Sequence, residues 1–223
     1  LVRISVLREM ARYGFHTNVN AGGTLLLEQT PPVLIARSFP ESAVGYFALP
    51  QRIVQTPLQM VRTVAEVLNP LTAEYLALKE RAKLVRVGIL GNRYSFVLYA
   101  PFALFILTWG SDLVRLWVGS DFGAQVAPML PYFVFGSWVA LAGQSATIGI
   151  LFGLGEHRWC AWGMVAEALV VSTATALLLD RGLAVLSMWC GAGMLANRGL
   201  LSAWALCHSL RISFWSYLWS VCG

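Results

Sequence analysis

The sequence predicts an all-α membrane protein with six transmembrane helices in one bundle, an amphipathic surface helix and the start of a seventh helix. Hydrophobic residues make up 57% of its 223 residues and charged residues only 12%, whereas soluble domains carry about 25% charge. The mean hydropathy is +0.65. Apolar stretches of nearly bilayer length recur between short polar turns. The net charge of +5 requires no nucleic-acid partner, because basic residues collect in the cytoplasmic loops of membrane proteins.

The predicted spans leave only short connections between them. They cover residues 13–36, 43–69, 94–109, 126–152, 159–179 and 183–207. Pro31 and Pro57 should break or bend the first two helices. Residues 73–93 are basic and have apolar residues at helical spacing, which predicts a surface helix on the cytoplasmic side. Residues 111–123 are expected to form an interfacial loop, and the Trp-rich tail after Arg211 is interpreted as the beginning of a seventh helix.

The distribution of basic residues predicts the orientation in the membrane. With the N-terminus inside, the inner segments hold ten Lys and Arg residues, and these are Arg3, Arg8, Arg12, Lys79, Arg81, Lys83, Arg86, Arg93, Arg158 and Arg211. The outer loops then hold three, namely Arg37, Arg115 and Arg181. Because cytoplasmic loops are enriched in basic residues, this bias places the N-terminus on the cytoplasmic side.

A polar stripe follows one face of the second predicted span. Arg52, Gln55, Gln59, Arg62 and Glu66 are separated by intervals of three, four, three and four residues, which confines them to an arc of roughly 80° on a helix. Arginine facing hydrocarbon costs several kcal/mol, so this face should meet water or another helix.

The first span has a matching stripe formed by Thr17, Asn20, Thr24 and Glu28. Two polar faces in one bundle are most simply explained by a shared cavity. The candidate substrate-binding residues are therefore Asn20, Thr24, Glu28, Arg52, Gln55, Gln59 and Arg62. Glu28 and Arg52 lie at similar depth, so they either form an ion pair that joins the two helices or serve a substrate or a coupling ion.

For each of the other polar sites in the spans, two interpretations remain open. Arg62 either extends to the inner headgroups or contacts a phosphate group. Glu167 is either a proton site or a carboxylate stabilised by water, and Asn197 and Arg198 either pack helices together or belong to a site. No nucleotide-binding loop, nucleophile elbow or zinc-ligand pattern is found, so the sequence predicts no catalytic residue, no metal and no cofactor.

Three segments resemble the Wzx-type polysaccharide flippases, which are relatives of the multidrug and toxic compound extruders. The segment ESAVGYFALPQRI matches a pattern at the start of the family's helix, LNPLTAEYLA matches its proline-containing end, and LWVGSDFGAQVAPMLPYF matches a later loop. The residues that carry the likeness are Val44, Gly45, Tyr46, Ala48, Arg52, Gly119, Phe122, Leu130 and Pro131.

The resemblance implies that residues 1–223 are a single bundle, the C-terminal half of a transporter with 12 to 14 helices. An N-terminal bundle would complete a V around a cationic cavity. The implied activity is the transfer of a polyprenyl-pyrophosphate oligosaccharide across the bacterial cytoplasmic membrane for surface polysaccharide or O-antigen, driven by H⁺ or Na⁺ or by removal of the product. Arg62 and Arg52 would contact the pyrophosphate at successive stages.

Three alternatives remain at this point. The first is a cation-coupled multidrug exporter, the second is a membrane enzyme of polysaccharide assembly, and the third is a non-functional fragment.

Overall fold

The computed structural model describes residues 4–223, and the side chains of all of these except residues 4–9, 12, 65 and 69. Arg3 and the side chains of Arg8 and Arg12, which entered the orientation argument, lie outside this description. The described chain contains helices and no strand, which confirms the all-α prediction. Its α-helices are α1 (Ile4–Ser38), α2 (Glu41–Glu66), α3 (Asn69–Ala77), α4 (Arg81–Val118), α5 (Ser120–Val126), α6 (Leu130–Gln144), α7 (Thr147–Gly153), α8 (Arg158–Leu178), α9 (Leu183–Met194), α10 (Ser202–Leu210) and α11 (Phe214–Cys222).

The connections between helices gather at two ends of the bundle. At one end Phe39, Pro128 and Gly182 line a common surface pocket. At the other end Leu76, Leu154 and Leu210 do the same. The chain therefore passes between the ends along α1, α2, α4, α6 with α7, α8, and α9 with α10, in the alternating order that the sequence predicts.

Three of these segments are long and apolar enough to cross a membrane among the described residues, and they are Arg81–Val118, Leu130–Gly153 and Arg158–Arg181. The first and third are only 28% and 33% buried in the bundle over their most apolar windows, whereas the second is 67% buried. Apolar helices with so much exposed surface need lipid around them. The helices α1 and α2 have the length but carry the polar stripes, so the number of six spans stays a prediction.

The predicted surface helix over residues 73–93 is wrong as a separate element. The short helix α3 ends at Ala77 and is followed by Lys79 in the left-handed conformation (φ 56°), and α4 begins at Arg81 and continues through the third span. The reason is packing: Leu84, Gly88, Gly91 and Ser95 are buried at helical spacing, so the basic segment and the span share one continuous buried face.

Two further expectations about helix breaks are corrected by the structure. Residues 111–123, predicted as a loop, form the end of α4 and the start of α5, with a break only at Gly119 (φ 107°). The helices α1 and α2 continue through Pro31 and Pro57, so neither proline breaks its helix, while the bend at each proline stays a prediction. A proline removes one backbone hydrogen bond, and packing of the surrounding helix outweighs that loss here.

Two spans that the sequence predicts as continuous helices are interrupted in the structure. The fourth is divided into α6 and α7 by a turn at residues 145–146, and the sixth contains a π-helical segment, Leu195–Leu201, between α9 and α10. Interruptions of this kind are frequent at functional sites.

The helix α6 is the buried centre of the bundle and approaches the last span very closely. An added Cβ at Gly136 would lie 2.8 Å from the carbonyl oxygen of Gly191, and one at Gly143 would overlap the carbonyl oxygens of Arg198 and Gly199. Small residues let helix backbones meet at this distance, which maximises van der Waals contact in a membrane.

We expect Gly143→Ala to lower stability markedly, since the new methyl group must push α6 away from the π-helical segment. Gly22→Ala is the matched control, because a Cβ there meets no atom within 4 Å and alanine in a helix interior is favoured by roughly 0.5–1 kcal/mol. Thermal unfolding in detergent measures both. Equal midpoints for the two variants would contradict the close approach.

Candidate substrate cavity

The polar stripes of α1 and α2 line one cavity inside the bundle. Its volume is about 210 Å³, and an adjoining cavity of about 400 Å³ shares several of its lining residues. From the two stripes it receives Asn20, Thr24, Glu28, Gln55, Gln59 and Arg62. Six of the seven candidate residues therefore come together.

Arg52 is the candidate that the structure places elsewhere. Its side chain is exposed, and it lines neither cavity. Within the described part of the chain, it forms no ion pair with Glu28. The reason is that α1 packs chiefly along α8 and only lightly on α2, so the two stripes face each other across the cavity rather than in contact.

The opposite wall of the cavity comes from the later spans. It includes Ser137 and Gln144 of α6, Cys160 and Met164 of α8, and Arg198 of the π-helical segment. The family resemblance implied a cavity shared with a second, N-terminal bundle. In the described chain, the third to sixth spans themselves supply half of the lining.

Arg198 is held in the wall by a buried carboxylate. Its Nε donates to Oε2 of Glu167 at 3.1 Å, and the Nδ2 of Asn197 donates to the same oxygen at 2.7 Å. The Glu167 side chain is fully buried and that of Arg198 is 12% exposed. Gly163 makes room for this arrangement, because a Cβ there would overlap the Asn197 side chain.

The π-helical segment explains how two neighbouring residues reach one carboxylate. In a π turn the backbone bond spans five residues instead of four, which shifts the facing of successive side chains. The Ser202 hydroxyl donates to the Asn197 carbonyl at 3.1 Å, which helps satisfy the widened turn. The second oxygen of Glu167, Oε1, is buried and makes no hydrogen bond to a described residue.

Arg62 lies across the cavity from this cluster. It interacts electrostatically with Arg198, which repels it, and with Glu66 and Glu167, which attract it. None of these reaches ion-pair distance among the described residues. The guanidinium groups of Arg62 and Arg198 therefore face the same cavity, and only that of Arg198 forms an ion pair with a described residue.

The remaining lining offers neutral hydrogen-bonding groups. The amides of Gln55, Gln59 and Gln144 bond to no described side chain or backbone group. The Thr24 hydroxyl donates to the Asn20 carbonyl at 3.0 Å, so it is left as an acceptor. Amides and a free carboxylate at Glu28 match the hydroxyl groups of sugars, and guanidinium groups match phosphate.

Sequence reasoning missed part of this lining. Glu167, Asn197 and Arg198 were noted one by one, but their spacing gave no sign that they share one cluster, because the π turn is not visible in the sequence. Gln144 carried a signal that was not used, since it is an isolated amide in an apolar span. Such a residue is a candidate for a polar contact between helices or with a ligand.

The family of polysaccharide biosynthesis proteins matches residues 1–127 of the chain, which is more than half of its length. The chain belongs to this family. No curated protein and no solved structure matches it. The matched region covers α1 to α5 and thus one wall of the cavity, while the Arg198 cluster lies beyond it. Together with the apolar helices, the match identifies a membrane protein of polysaccharide biosynthesis and agrees with the coarse resemblance drawn from the sequence.

In this family member, we expect Glu167→Ala to destabilise the fold by about 3–5 kcal/mol, since it leaves the guanidinium of Arg198 buried without its partner. Replacing both residues, Glu167→Leu with Arg198→Leu, should recover most of that loss. Thermal midpoints of Glu167→Leu, Arg198→Leu and the double variant measure the coupling as a double-mutant cycle. A double variant whose loss of stability equals the sum of the two single losses would show that the two side chains are not energetically coupled.

Proposed function

We propose that the chain forms part of a multi-pass flippase in the bacterial cytoplasmic membrane that moves lipid-linked oligosaccharides toward the cell surface. The family match supports a role in polysaccharide biosynthesis. The six predicted spans, the alternating order of the helix connections and the Wzx-type resemblance all fit such a transporter. We propose that a further helix bundle completes the transport path.

The observation that carries the proposal is the pair of arginines facing one cavity lined with amides. The substrate of a flippase in this pathway has a pyrophosphate group joined to sugars. Arginine binds phosphate oxygens through a planar pair of N–H groups, and amides exchange hydrogen bonds with sugar hydroxyls. The membrane lipid tail would stay among the exposed apolar side chains outside the cavity.

We further propose that transport requires no hydrolysis by this chain. A secondary transporter needs only differential affinity for its substrate in two conformations, together with an ion gradient of H⁺ or Na⁺ or removal of the product. The absence of a nucleotide-binding motif from the sequence fits this mechanism.

The first test compares two arginines of α2. Arg62→Ala removes a guanidinium from the cavity and should lower surface polysaccharide by about tenfold or more, the loss expected when one charged contact of 1.4 kcal/mol or more is removed. Arg52→Ala is the control, because it removes an arginine of the same helix that lies outside the cavity. It should lower surface polysaccharide less than Arg62→Ala does. Arg62→Lys should keep part of the activity, because lysine retains the charge but not the paired geometry.

The measurement is complementation of a strain that lacks the flippase, with the membrane level of each variant determined alongside. Normal polysaccharide with Arg62→Ala at normal protein level would refute the substrate role of Arg62. A larger loss with Arg52→Ala than with Arg62→Ala would favour the original two-stage hypothesis, in which Arg52 is the deeper contact.

A cation-coupled drug exporter is the second candidate, and Glu28 favours it. This carboxylate faces the cavity and pairs with no described cation, as a site for a coupling ion or a cationic drug would require. If Glu28→Gln abolishes drug resistance conferred by the protein while polysaccharide is unaffected, the exporter is correct. The two arginines in the same cavity disfavour cationic substrates.

A further inference from the structure

The interruption between α6 and α7 has no cause in its own backbone. Helix breaks are usually attributable to proline, to glycine or to a group inserted into the hydrogen-bond ladder. Residues 144–146 are Gln, Ser and Ala. Ser145 (φ −56°, ψ −67°) and Ala146 (φ −83°, ψ −18°) both keep dihedrals of the right-handed helical region. Gly143 directly precedes these residues but lies within α6, so we attribute the interruption to an inserted group.

Two side chains from other helices occupy the place of one helical hydrogen bond. The N–H of Ala146 would ordinarily donate to the carbonyl of Ala142, four residues earlier. Instead it donates to Oδ1 of Asn92 at 2.7 Å, and the Ala142 carbonyl accepts from the Tyr217 hydroxyl at 2.7 Å. Nδ2 of Asn92 donates to the same hydroxyl at 2.6 Å. Asn92 of α4 and Tyr217 of α11 thus bridge the Ala146 N–H and the Ala142 carbonyl, which are not paired with each other.

Every hydrogen-bonding group of the Asn92 and Tyr217 side chains has a partner in this bridge. The second N–H of the Asn92 amide donates to Oγ1 of Thr147 at 2.8 Å, so both amide hydrogens and the amide oxygen are used. Tyr217 accepts one bond and donates another. Asn92 is fully buried and Tyr217 is 1% exposed. A buried polar network with every group paired is stable and specific for one geometry, whereas removing one member leaves costly unpaired groups.

A second contact holds the same turn from α4. The Ser95 hydroxyl donates its single hydrogen to the Gly91 carbonyl at 2.8 Å. The hydroxyl of Ser145, which lies 2.7 Å from that of Ser95, must therefore be the donor between them. Ser145 in the turn and its neighbours Gln144 and Ile148 line the adjoining cavity together with Arg62.

We propose that Asn92 and Tyr217 are positioning residues of the cavity. By keeping the Ala146 N–H and the Ala142 carbonyl apart, they determine the direction in which the Gln144 side chain points. The tail helix α11 thereby takes part in shaping the substrate site through one buried tyrosine, although the rest of its surface, such as Trp215 and Trp219, is exposed. The functional part of this inference rests on the proposed flippase activity, whereas the geometric part does not.

The decisive variant changes both residues, Asn92→Leu with Tyr217→Phe. It removes the inserted groups and lets the N–H of Ala146 pair again with the Ala142 carbonyl, so the protein should fold with this helical hydrogen bond restored. Tyr217→Phe alone leaves the Ala142 carbonyl and one Asn92 N–H unpaired in the interior. We therefore expect the single variant to have the lower thermal midpoint of the two.

The geometric readout is labelling of a cysteine at position 144 by a water-soluble maleimide. It uses protein whose native cysteines, Cys160, Cys190, Cys207 and Cys222, are replaced by alanine. Gln144→Cys should label at least about tenfold more slowly in the double variant, because its side chain no longer faces the cavity. Gln55→Cys lies in the same cavity on α2, away from the turn, and serves as the matched control with an unchanged rate.

The functional readout is surface polysaccharide, measured with Asn92→Leu and Tyr217→Phe in the background that keeps Gln144. A folded double variant with slower labelling at position 144 and strongly reduced polysaccharide supports the proposal. Unchanged labelling at position 144 overturns the geometric part. Slower labelling with normal polysaccharide overturns the functional part. If Arg62→Ala also leaves polysaccharide normal, the flippase assignment itself has failed, and the labelling result stands independently of it.

Discussion

The need to pair every backbone N–H and C=O group in the absence of water governs this structure more than any other constraint. It restricts the described chain to helices. Side-chain hydroxyl groups follow the same rule, since an O–H group such as that of Thr56 or Thr63 donates to a carbonyl of its own helix. Where the helical ladder is interrupted, a side chain takes over the bond that is lost.

The helix ends at the predicted cytoplasmic side follow the same rule. The helices α3, α7 and α10 are each followed within two residues by a left-handed residue, namely Lys79, Gly155 and Arg211. The next residue then makes a backbone bond that spans five residues, as from the Glu80 N–H to the Tyr75 carbonyl. The Nε of Arg81 then donates to the carbonyl of Leu210 at 3.2 Å. A cation at the C-terminus of a helix is favourable, so this contact joins the start of α4 to the end of α10.

Periodicity and composition predicted most of the architecture, because they report which faces of a helix are apolar. Seven of the nine residues in the two polar stripes line the adjoining cavities, whereas Thr17 and Arg52 line neither. The fifth span was placed to within one residue at each end (Arg158–Leu178). Turns with glycine, such as Gly155 and Gly182, were also predictable, since a positive φ favours glycine.

What the sequence did not reveal depends on contacts between distant residues. The break before Thr147 is held by Asn92 and Tyr217, and nothing local to residues 144–146 indicates it. The continuous helix α4 was obscured by its charges, because the basic residues are on its exposed face while its buried face runs unbroken. The pairing of Glu28 with Arg52 was inferred from equal depth alone. Depth does not fix which helices are neighbours, and α1 packs on α8 instead.

The placement of charge around the cavity decides what kind of ligand suits it. With the cavity empty, Arg62 and Arg198 repel each other across a region of low dielectric constant. Glu167 offsets the charge of Arg198 from behind, through Nε, and leaves its terminal nitrogens without a described partner. An anion between the two guanidinium groups would relieve their repulsion without breaking that bond. Glu66 and Glu167 limit how tightly such an anion is held, which suits the proposed transport function, because a substrate bound too strongly is not released.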